Sequence, residues 1–426
     1  MKTSVNTNRA TSSAREHSHA SGRKPGKMHY GYIIVACCCL MMGVNVGLSF
    51  SCAGIFYRPV SESLGVAVGE FGIYMSVMYI TSTLMLPMAG RLLERYSARW
   101  LFTANAALMG LIFISMGFYN RVWEFYIAGG ALGVTLAFLL YLSFPTLVNR
   151  WFHTRVGLMI GICSAASGIG GMLFNPMAGW MITEWGWRWA YGAFGVIILA
   201  VVTPLLGWLL RDRPADMGLE PYGLGTMENK TKATAPGADK TYAEAVKSPL
   251  FYGVVLFAFI MMGTSTLNLF IPGYVTDNGF SLEQASLTAA CVMAGVTIGK
   301  LVLGWINDRN CMFGVAVTTI AGAAGLGILL IGSHTLALIL TGAFLFGWAY
   351  AGVTVQSAML TRSVFSTRDY GRIYSVVSIA LAAGGALASG GWGLLADATS
   401  DTFIFTSGAV CLTLCLLLGL WALRRR

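Results

Sequence analysis

Twelve long apolar stretches constrain the fold of this chain more than any other feature of its sequence. Each is long enough to cross the hydrocarbon core of a bilayer, which takes about 20 residues of helix. The stretches are continuously apolar rather than alternating, so they predict an all-α integral membrane protein and not a membrane barrel. The predicted spans are 30–56, 71–92, 100–118, 123–148, 155–182, 188–210, 250–275, 282–306, 313–333, 336–361, 371–396 and 402–423.

The basic residues are distributed unevenly between the two sides of these spans. A formal net charge of +10 could by itself indicate a nucleic-acid partner. With the amino terminus placed in the cytoplasm, however, 24 of the 28 Lys and Arg residues fall on the cytoplasmic side and 3 on the outer side. This asymmetry follows the positive-inside rule. It predicts a multi-pass protein of the cell (inner or plasma) membrane, with both termini cytoplasmic and no nucleic-acid partner.

Two hydrophilic segments divide the chain into parts. Residues 1–28 are rich in Ser, Thr, Asn and basic side chains, which predicts a disordered cytoplasmic tail. Residues 211–249 are rich in Lys, Thr, Gly and Pro, which predicts a cytoplasmic linker with one surface helix near "TYAEAVKSP". The linker leaves six spans on each side, so we expect an N-terminal bundle at 29–210 and a C-terminal bundle at 250–426.

The two halves repeat one another at an offset of 214 residues. The segment "GRLLERYSAR" (90–99) ends the second span, and "GWINDRNCMF" (304–313) ends the eighth. Repeated six-helix halves predict two pseudo-symmetric bundles with a substrate site near the membrane midplane between them. Glycines at the same offset in the fifth and eleventh spans would let helices approach closely. These pairs are Gly157 with Gly371, Gly170 with Gly384, Gly171 with Gly385, and Gly179 with Gly393.

These motifs resemble a known family of membrane proteins. "GRLLERYSAR" resembles the loop between the second and third spans of the major facilitator superfamily, and "GWINDR" resembles its counterpart in the second half. The resemblance implies a gate in which an acid and basic groups hold the outward-open state, with glutamate here where aspartate is usual. The implied gating residues are Gly90, Glu94, Arg95, Arg99, Gly304, Asp308 and Arg309.

A narrower resemblance covers the chain from residue 29 to its carboxyl end. "NRWFHTRVGLMIGI" (149–162), "RDRPADMGLEPYG" (211–223) and "PGYVTDNGFSLEQAS" (272–286) resemble the oxalate/formate antiporter family and related bacterial monocarboxylate transporters. The resemblance implies a secondary transporter that moves a small carboxylate anion by alternating access, as a monomer. It implies no cofactor or metal.

Lys300 is a charge that lies deep inside a predicted span, about 10 Å from its end at 1.5 Å per residue. Such a charge costs about 2.5–3.5 kcal/mol at mid-membrane. One turn before it stands Val296, so no neighbouring acid neutralises it. The side chain could snorkel to the interface, or it could bind an anion. The resemblance favours the anion, because the family places a carboxylate-binding cation, usually arginine, four residues before the motif glycine, here Gly304.

Two departures from the family bear on the substrate and its coupling. Monocarboxylate transporters often carry an aspartate, linked to proton coupling, where Val296 stands, and the antiporter's second lysine falls near Val377. One cation rather than two favours a monoanion such as lactate, pyruvate or formate over oxalate. Proton symport and anion exchange both stay open, since no Asp or Glu lies deep in a span and a proton would have to travel on Lys300 itself.

Other polar and aromatic residues at plausible depth predict a pocket suited to a small organic anion. For each of them ordinary packing is the alternative. A drug exporter of the same fold and a non-transporting anion sensor are alternative functions, whereas the histidines all lie outside the spans and offer no enzyme site. The predicted lining residues besides Lys300 are Tyr141, Asn268, Tyr374, Tyr79, Phe50, Trp348 and Gln356.

Overall fold

The computed structural model describes residues 29–223, 241–332, 334–365 and 370–425. The predicted tail and the middle of the predicted linker lie outside these residues. Within them, 12 helices are long and apolar enough to cross a membrane, the number predicted from the sequence. The helices are α1 (Gly31–Leu64), α2 (Val68–Arg95), α3 (Ala98–Met116), α4 (Val122–Trp151), α5 (Leu158–Trp185), α6 (Trp187–Leu209), α7 (Pro249–Leu269), α8 (Leu282–Arg309), α9 (Cys311–Ile331), α10 (Leu336–Phe365), α11 (Arg372–Ala398) and α12 (Asp401–Arg424).

The helices pack as two groups of six related by the sequence repeat. Helix α2 packs on α4 as α8 packs on α10, and α3 packs on α6 as α9 packs on α12. The contact of α1 with α5 likewise has its counterpart in that of α7 with α11. The two groups meet along α5 against α8 and along α2 against α11, which are equivalent interfaces. The predicted fold of two pseudo-symmetric bundles is confirmed, while the domain limits remain a prediction.

Helix α7 is shorter than its predicted span because it is interrupted. It ends in a tight 3₁₀ turn at Thr266–Leu269, and a separate short helix follows at Ile271–Asp277. Pro272 near the start of that short helix has no backbone N–H, and its ring would clash with the carbonyl four residues earlier in a continuous helix. In Thr266–Leu269 the backbone therefore departs from regular α-helical geometry. This segment lies at a depth where both bundles meet.

Other local features match their sequence signals. The predicted surface helix of the linker is confirmed at Tyr242–Lys247, where Thr241 and Glu244 form a capping box.

Helices α1 and α4 contain wide π-helical turns, at Met41–Ser51 and Ala137–Leu142, which the sequence did not predict. Such turns occur often at functional sites.

Two of the paired glycines hold α5 and α11 against the first helix of their own bundle. A Cβ on Gly170 would overlap the carbonyl of Gly43 in α1, and a Cβ on Gly384 would overlap the carbonyl of Phe259 in α7. The repeat therefore reproduces the same backbone-to-backbone contact in each half.

Another pair brings the two bundles together. A Cβ on Gly179 of α5 would overlap the side chain of Ser286 in α8. A Cβ on Gly393 of α11 would lie 2.5 Å from the Cα of Gly69 in α2. Close packing of small residues at both interfaces allows the polar groups described below to reach across them.

Replacing Gly170 with alanine tests this packing. We expect Gly170→Ala to lower stability by about 1–3 kcal/mol, because the added methyl group has no space against Gly43. Gly161→Ala in the same helix is the matched control, since a Cβ there meets nothing within 4 Å. The measurement is the melting temperature of the purified protein in detergent. Equal melting temperatures for the two variants would contradict the close contact of α1 and α5.

Candidate functional site

Lys300 of α8 reaches across the interface to α5. It lies nine residues before Arg309, the end of the helix, or about 14 Å at 1.5 Å per residue. Its Nζ donates to the backbone oxygen of Ser164 at 3.1 Å and to Oγ of Ser167 at 3.3 Å. The ammonium is therefore held between the bundles rather than extended along α8 towards the membrane surface.

Both partners of Lys300 are neutral. Within the ranges that the structure describes, Lys300 forms no ion pair, and Val296 one turn before it is buried. An ammonium can donate three hydrogen bonds, and two are made here. A buried charge without a counter-ion is costly, so the position is electrostatically suited to receive an anion.

The tenth helix packs close to the same segment of α8. Gly299 allows this approach, since a Cβ there would lie 2.9 Å from the side chain of Ala351 and 3.4 Å from Cα of Trp348. The indole Nε1 of Trp348 is buried and has no hydrogen-bond partner among the described residues. Trp348 therefore lies beside the Lys300 segment, while its role in the site stays a prediction.

A narrow cavity of about 10 Å³, with room for about one water molecule, lies between the bundles. The rings of Phe50 and Tyr79 meet edge to face in its wall, with their centroids 5.1 Å apart. Both bundles contribute to the lining, which includes three of the predicted residues, Phe50, Tyr79 and Asn268. The full lining is Phe50 from α1, Met75 and Tyr79 from α2, Ser265, Thr266, Asn268 and Leu269 from α7, and Tyr350 from α10.

The predicted lining residues Tyr141 and Tyr374 are not part of the cavity lining. Tyr141, in the π-helical turn of α4, lies near Tyr79 and Tyr350. Tyr374, near the start of α11, stacks on Tyr370 with ring centroids 5.3 Å apart.

Gln356 is not brought to the cavity. It is fully buried, and its Oε1 accepts a 2.9 Å hydrogen bond from Nδ2 of Asn307 in α8. Its Nε2 donates to the backbone oxygen of Cys311 in α9 at 3.5 Å. Gln356 therefore joins α8, α9 and α10, and we leave it out of the proposed site.

No local sequence pattern indicated several residues of this region. Ser164 and Ser167 lie among the glycines and small residues of α5, where many side chains could have faced α8. Tyr350 follows Trp348 by two residues in an apolar helix whose orientation depends on tertiary packing. The exposure of Ser265 and Thr266 to the cavity follows from the interruption of α7, which Pro272 could have indicated.

The two sides of the membrane domain differ in how closely the bundles approach. We call the side on which α1 begins and α12 ends the terminal face, and the other side the distal face. Near the distal face, Arg58 of α1 forms an ion pair with Asp277, which ends the short helix after α7. In the distal half, the backbone N–H of Gly69 donates to Asp397 at 2.9 Å. The bundles are thus joined on the distal side.

Towards the terminal face the bundles are separated. A Cβ on Gly90 of α2, Gly161 of α5 or Gly304 of α8 would meet nothing within 4 Å. The motif acids Glu94 and Asp308 are exposed, and neither forms an ion pair with another described residue. Among the described residues, the bundles therefore approach more closely in the distal half than beside Gly90, Gly161 and Gly304.

Two basic residues of the predicted gate, Arg99 and Arg309, contact their own bundle in this conformation. Arg99 donates through Nε to the backbone oxygen of Gly207 in α6 at 2.7 Å. Arg309 stacks on the ring of Trp305, 3.6 Å from its centroid. Asp212, which the sequence did not single out, accepts from the backbone N–H groups of Ala98 and Arg99 at the start of α3. Such contacts satisfy the free amides of a helix start.

Two pseudo-symmetric six-helix bundles that meet around interior polar groups, together with transporter relatives, define a multi-pass membrane transporter rather than an enzyme. Sequence comparison gives the family. A model of the Major Facilitator Superfamily matches residues 38–314 and 254–426, and the chain belongs to that superfamily. The family predicted from the loop motifs is confirmed.

Curated relatives of the chain are transporters. The gallate transporter of Pseudomonas putida is 25% identical over 366 residues, which cover 80% of this chain and 79% of that protein. Human monocarboxylate transporter 12 is 22% identical over 69% of this chain and 60% of its own length. An uncharacterised transporter of Bacillus subtilis, YcxA, is 22% identical over 84% of this chain and 86% of its own length. Several other relatives match over 47% to 59% of their own length.

Solved structures share the fold. The chain is similar to a bacterial homologue of the human lysosomal transporter Spinster, solved in an inward-facing, occupied conformation, with a TM-score of 0.71 and 14% identity. The match covers 94% of this chain and 98% of that one. The unoccupied form of the same homologue gives a TM-score of 0.69.

The distal ion pair can be tested by hydrogen exchange. We expect Arg58→Ala to speed amide exchange in Ile271–Asp277 by about two- to fivefold, because an exposed ion pair contributes about 0.2–1 kcal/mol. Glu62→Ala is the matched control, since Glu62 contacts Arg58 from the same helix at 3.7 Å and does not bridge the bundles. The charge-swapped protein, Arg58→Asp with Asp277→Arg, should regain slow exchange. Equal acceleration by Arg58→Ala and Glu62→Ala would contradict a bridging role.

Proposed function

We propose that the protein is a secondary active transporter of a small monocarboxylate, in which Lys300 binds the carboxylate during alternating access. The observation that carries this proposal is the ammonium of Lys300 at the bundle interface, bound to the neutral oxygens of Ser164 and Ser167 and to no acid among the described residues. The names of two relatives, a gallate transporter and a monocarboxylate transporter, support a carboxylate as cargo.

The geometry suggests how an anion would bind. The present partners of the ammonium are neutral dipoles, whereas a carboxylate would add the attraction of a full opposite charge to the hydrogen bond. A carboxylate arriving from the open side would therefore compete with the backbone oxygen of Ser164 for the ammonium. Ser167 would keep a partner, because its hydroxyl already donates to the backbone oxygen of Ser164 at 2.9 Å.

This exchange of hydrogen-bond partners would couple binding of the carboxylate to movement of the bundles. Lys300 belongs to the C-terminal bundle and Ser164 to the N-terminal bundle, so their hydrogen bond holds α8 to α5. A bound carboxylate would replace that bond with one to the cargo, and the bundles could then reorient around the occupied site. The open terminal side would close as the motif acids Glu94 and Asp308 find partners.

Membrane orientation follows from the charge asymmetry of the sequence. The positive-inside rule places the terminal face in the cytoplasm, so the described conformation is inward-open. In the proposed cycle, the ion pair of Arg58 and Asp277 closes the outer side. A single site cation suits a monoanion, and the cycle can be driven by proton symport or by exchange for another anion.

Substitution of Lys300 tests the proposal. We expect Lys300→Ala to lower uptake of short monocarboxylates into proteoliposomes by at least about 100-fold, because removing one partner of a buried charged interaction costs several kcal/mol. Lys300→Arg should keep partial activity, since it retains the charge but changes its shape. The measurement is counterflow with a panel of labelled carboxylates.

Lys247→Ala is the control for this experiment, because Lys247 is exposed at the end of the linker helix. It should transport at the wild-type rate. Each variant is first checked by size-exclusion chromatography, so that loss of folding is not mistaken for loss of function. Full uptake by a folded Lys300→Ala protein would refute Lys300 as the carboxylate site.

A further inference from the structure

Helix α2 begins near the distal face without a capping side chain of its own. Its N-cap residue is Ala67, which has no polar side-chain atom, although Glu70 occupies the third helical position, as in a capping box. Ser, Thr, Asp and Asn normally cap a helix by accepting a hydrogen bond from its second or third backbone N–H. The first turn of α2 therefore needs an acceptor from another part of the chain.

That acceptor comes from the other bundle. Oδ2 of Asp397, near the end of α11, accepts from the backbone N–H of Gly69 at 2.9 Å. Gly69 is the second helical residue of α2, so this is the hydrogen bond that an N-cap side chain would make. The carboxylate also lies at the positive end of the helix dipole. Asp397 thus caps α2 across the interface between the bundles.

The sequence repeat gives a direct comparison with the start of α8. The residues 214 positions after Ala67 and Glu70 are Ser281 and Gln284. The hydroxyl of Ser281 accepts from the N–H of Gln284 at 3.2 Å, and the N–H of Ser281 donates to Oε1 of Gln284 at 3.0 Å. Helix α8 is therefore capped by its own residues, and this cap does not depend on how the bundles are arranged. The cap of α2 does.

One face of α11 brings the carboxylate to α2. Ser389, Gly393 and Asp397 are spaced four residues apart, so they lie on the same face of the helix. A Cβ on Gly393 would lie 2.5 Å from Cα of Gly69. Two turns further along α2, the hydroxyl of Ser76 is 2.9 Å from that of Ser389. The bond to Asp397 requires this close contact of the two helices and would be lost when they separate.

We infer that Asp397 is a positioning residue of the transport cycle, which keeps the distal side closed by capping α2 only while α2 and α11 are in contact. Separation of the two helices would leave the first turn of α2 uncapped, so the closed arrangement is favoured by the free energy of one helix cap. This role requires the alternating access of the proposed function but not its cargo. It is distinct from the ion pair of Arg58 with Asp277, because its partner is a backbone amide rather than an opposite charge.

Thiol labelling between α2 and α11 measures how often the distal side opens. Ser389→Cys places a thiol at a position that is 0% exposed and lies about 12 Å from Asp397 along α11. Every protein compared carries this change, is purified in detergent and is labelled with a hydrophilic maleimide, with the native cysteines as background. We expect Asp397→Ala to raise the labelling rate about three- to tenfold, which corresponds to the loss of one cap. Asp397→Asn should raise it less, since an amide oxygen can still cap.

A cap supplied within α2 distinguishes this role from a merely structural one. Ala67→Ser completes a capping box with Glu70. Added to Asp397→Ala, it should restore slow amide exchange at the start of α2 but leave labelling fast, because the new cap is present whether the bundles are in contact or apart. Ala67→Ser alone should also raise the labelling rate, since the open arrangement is then capped too.

Ser281→Ala is the matched control, because it removes the equivalent cap of α8. It should speed amide exchange at the start of α8 and leave the labelling rate unchanged. Equal labelling of the Asp397→Ala and Ser281→Ala proteins would overturn the inference, as would a return to slow labelling when Ala67→Ser is added to Asp397→Ala. If Asp397→Ala does not fold, Ala67→Ser alone decides the question, and an unchanged labelling rate in that protein would overturn the inference.

These outcomes are separable from those of the proposed function. Labelling requires no cargo, so full uptake by a folded Lys300→Ala protein would refute the carboxylate site without changing the result expected for Asp397. If Ser389→Cys is not labelled in any of the variants, the distal side does not open, and both alternating access and the role of Asp397 would be overturned.

Discussion

The ammonium of Lys300 is a charge in the interior that the surrounding helices must solvate. It lies about 14 Å from the end of α8, and its described partners are a backbone oxygen and a hydroxyl of α5. Because the lysine and its partners belong to different bundles, the same hydrogen bonds that solvate the charge also join the two halves of the protein. Charge recognition and bundle contact are thus combined in one side chain.

Close helix packing makes that reach possible. A Cβ on Gly168 of α5 would overlap the hydroxyl of Thr297 in α8, one turn from Lys300, so the two backbones are near enough for the ammonium to contact Ser164. The equivalent interface of α2 and α11 is joined by Ser76 and Ser389, whose hydroxyls are 2.9 Å apart. The repeat therefore gives two similar interfaces, of which one carries a charge and the other a neutral hydrogen bond.

The sequence predicted the parts of this structure that depend on local pattern. Continuous apolar runs predicted the spans, the 214-residue offset predicted the equivalent glycine contacts, and an isolated charge predicted that Lys300 would lie inside a helix. The contacts of the other residues depend on tertiary packing, which a local pattern does not show. Gln356 was expected in the pocket but binds Asn307, because nothing local in an apolar helix shows which of its faces meets another helix. Asp212 was missed because a helix cap supplied by a segment more than a hundred residues away has no local signature.

The division of labour between Lys300 and the cavity has a physical basis. A carboxylate carries a full negative charge, and the lining of the cavity offers it no opposite charge, whereas the ammonium of Lys300 does. In the proposed function, the carboxylate would therefore bind at the lysine rather than in the cavity. Both bundles line the cavity, and the lysine of the C-terminal bundle contacts Ser164 of the N-terminal bundle, so polar groups join the two halves at two depths. A single lysine matches the single charge of a monoanion, which is why the proposed cargo carries one carboxylate.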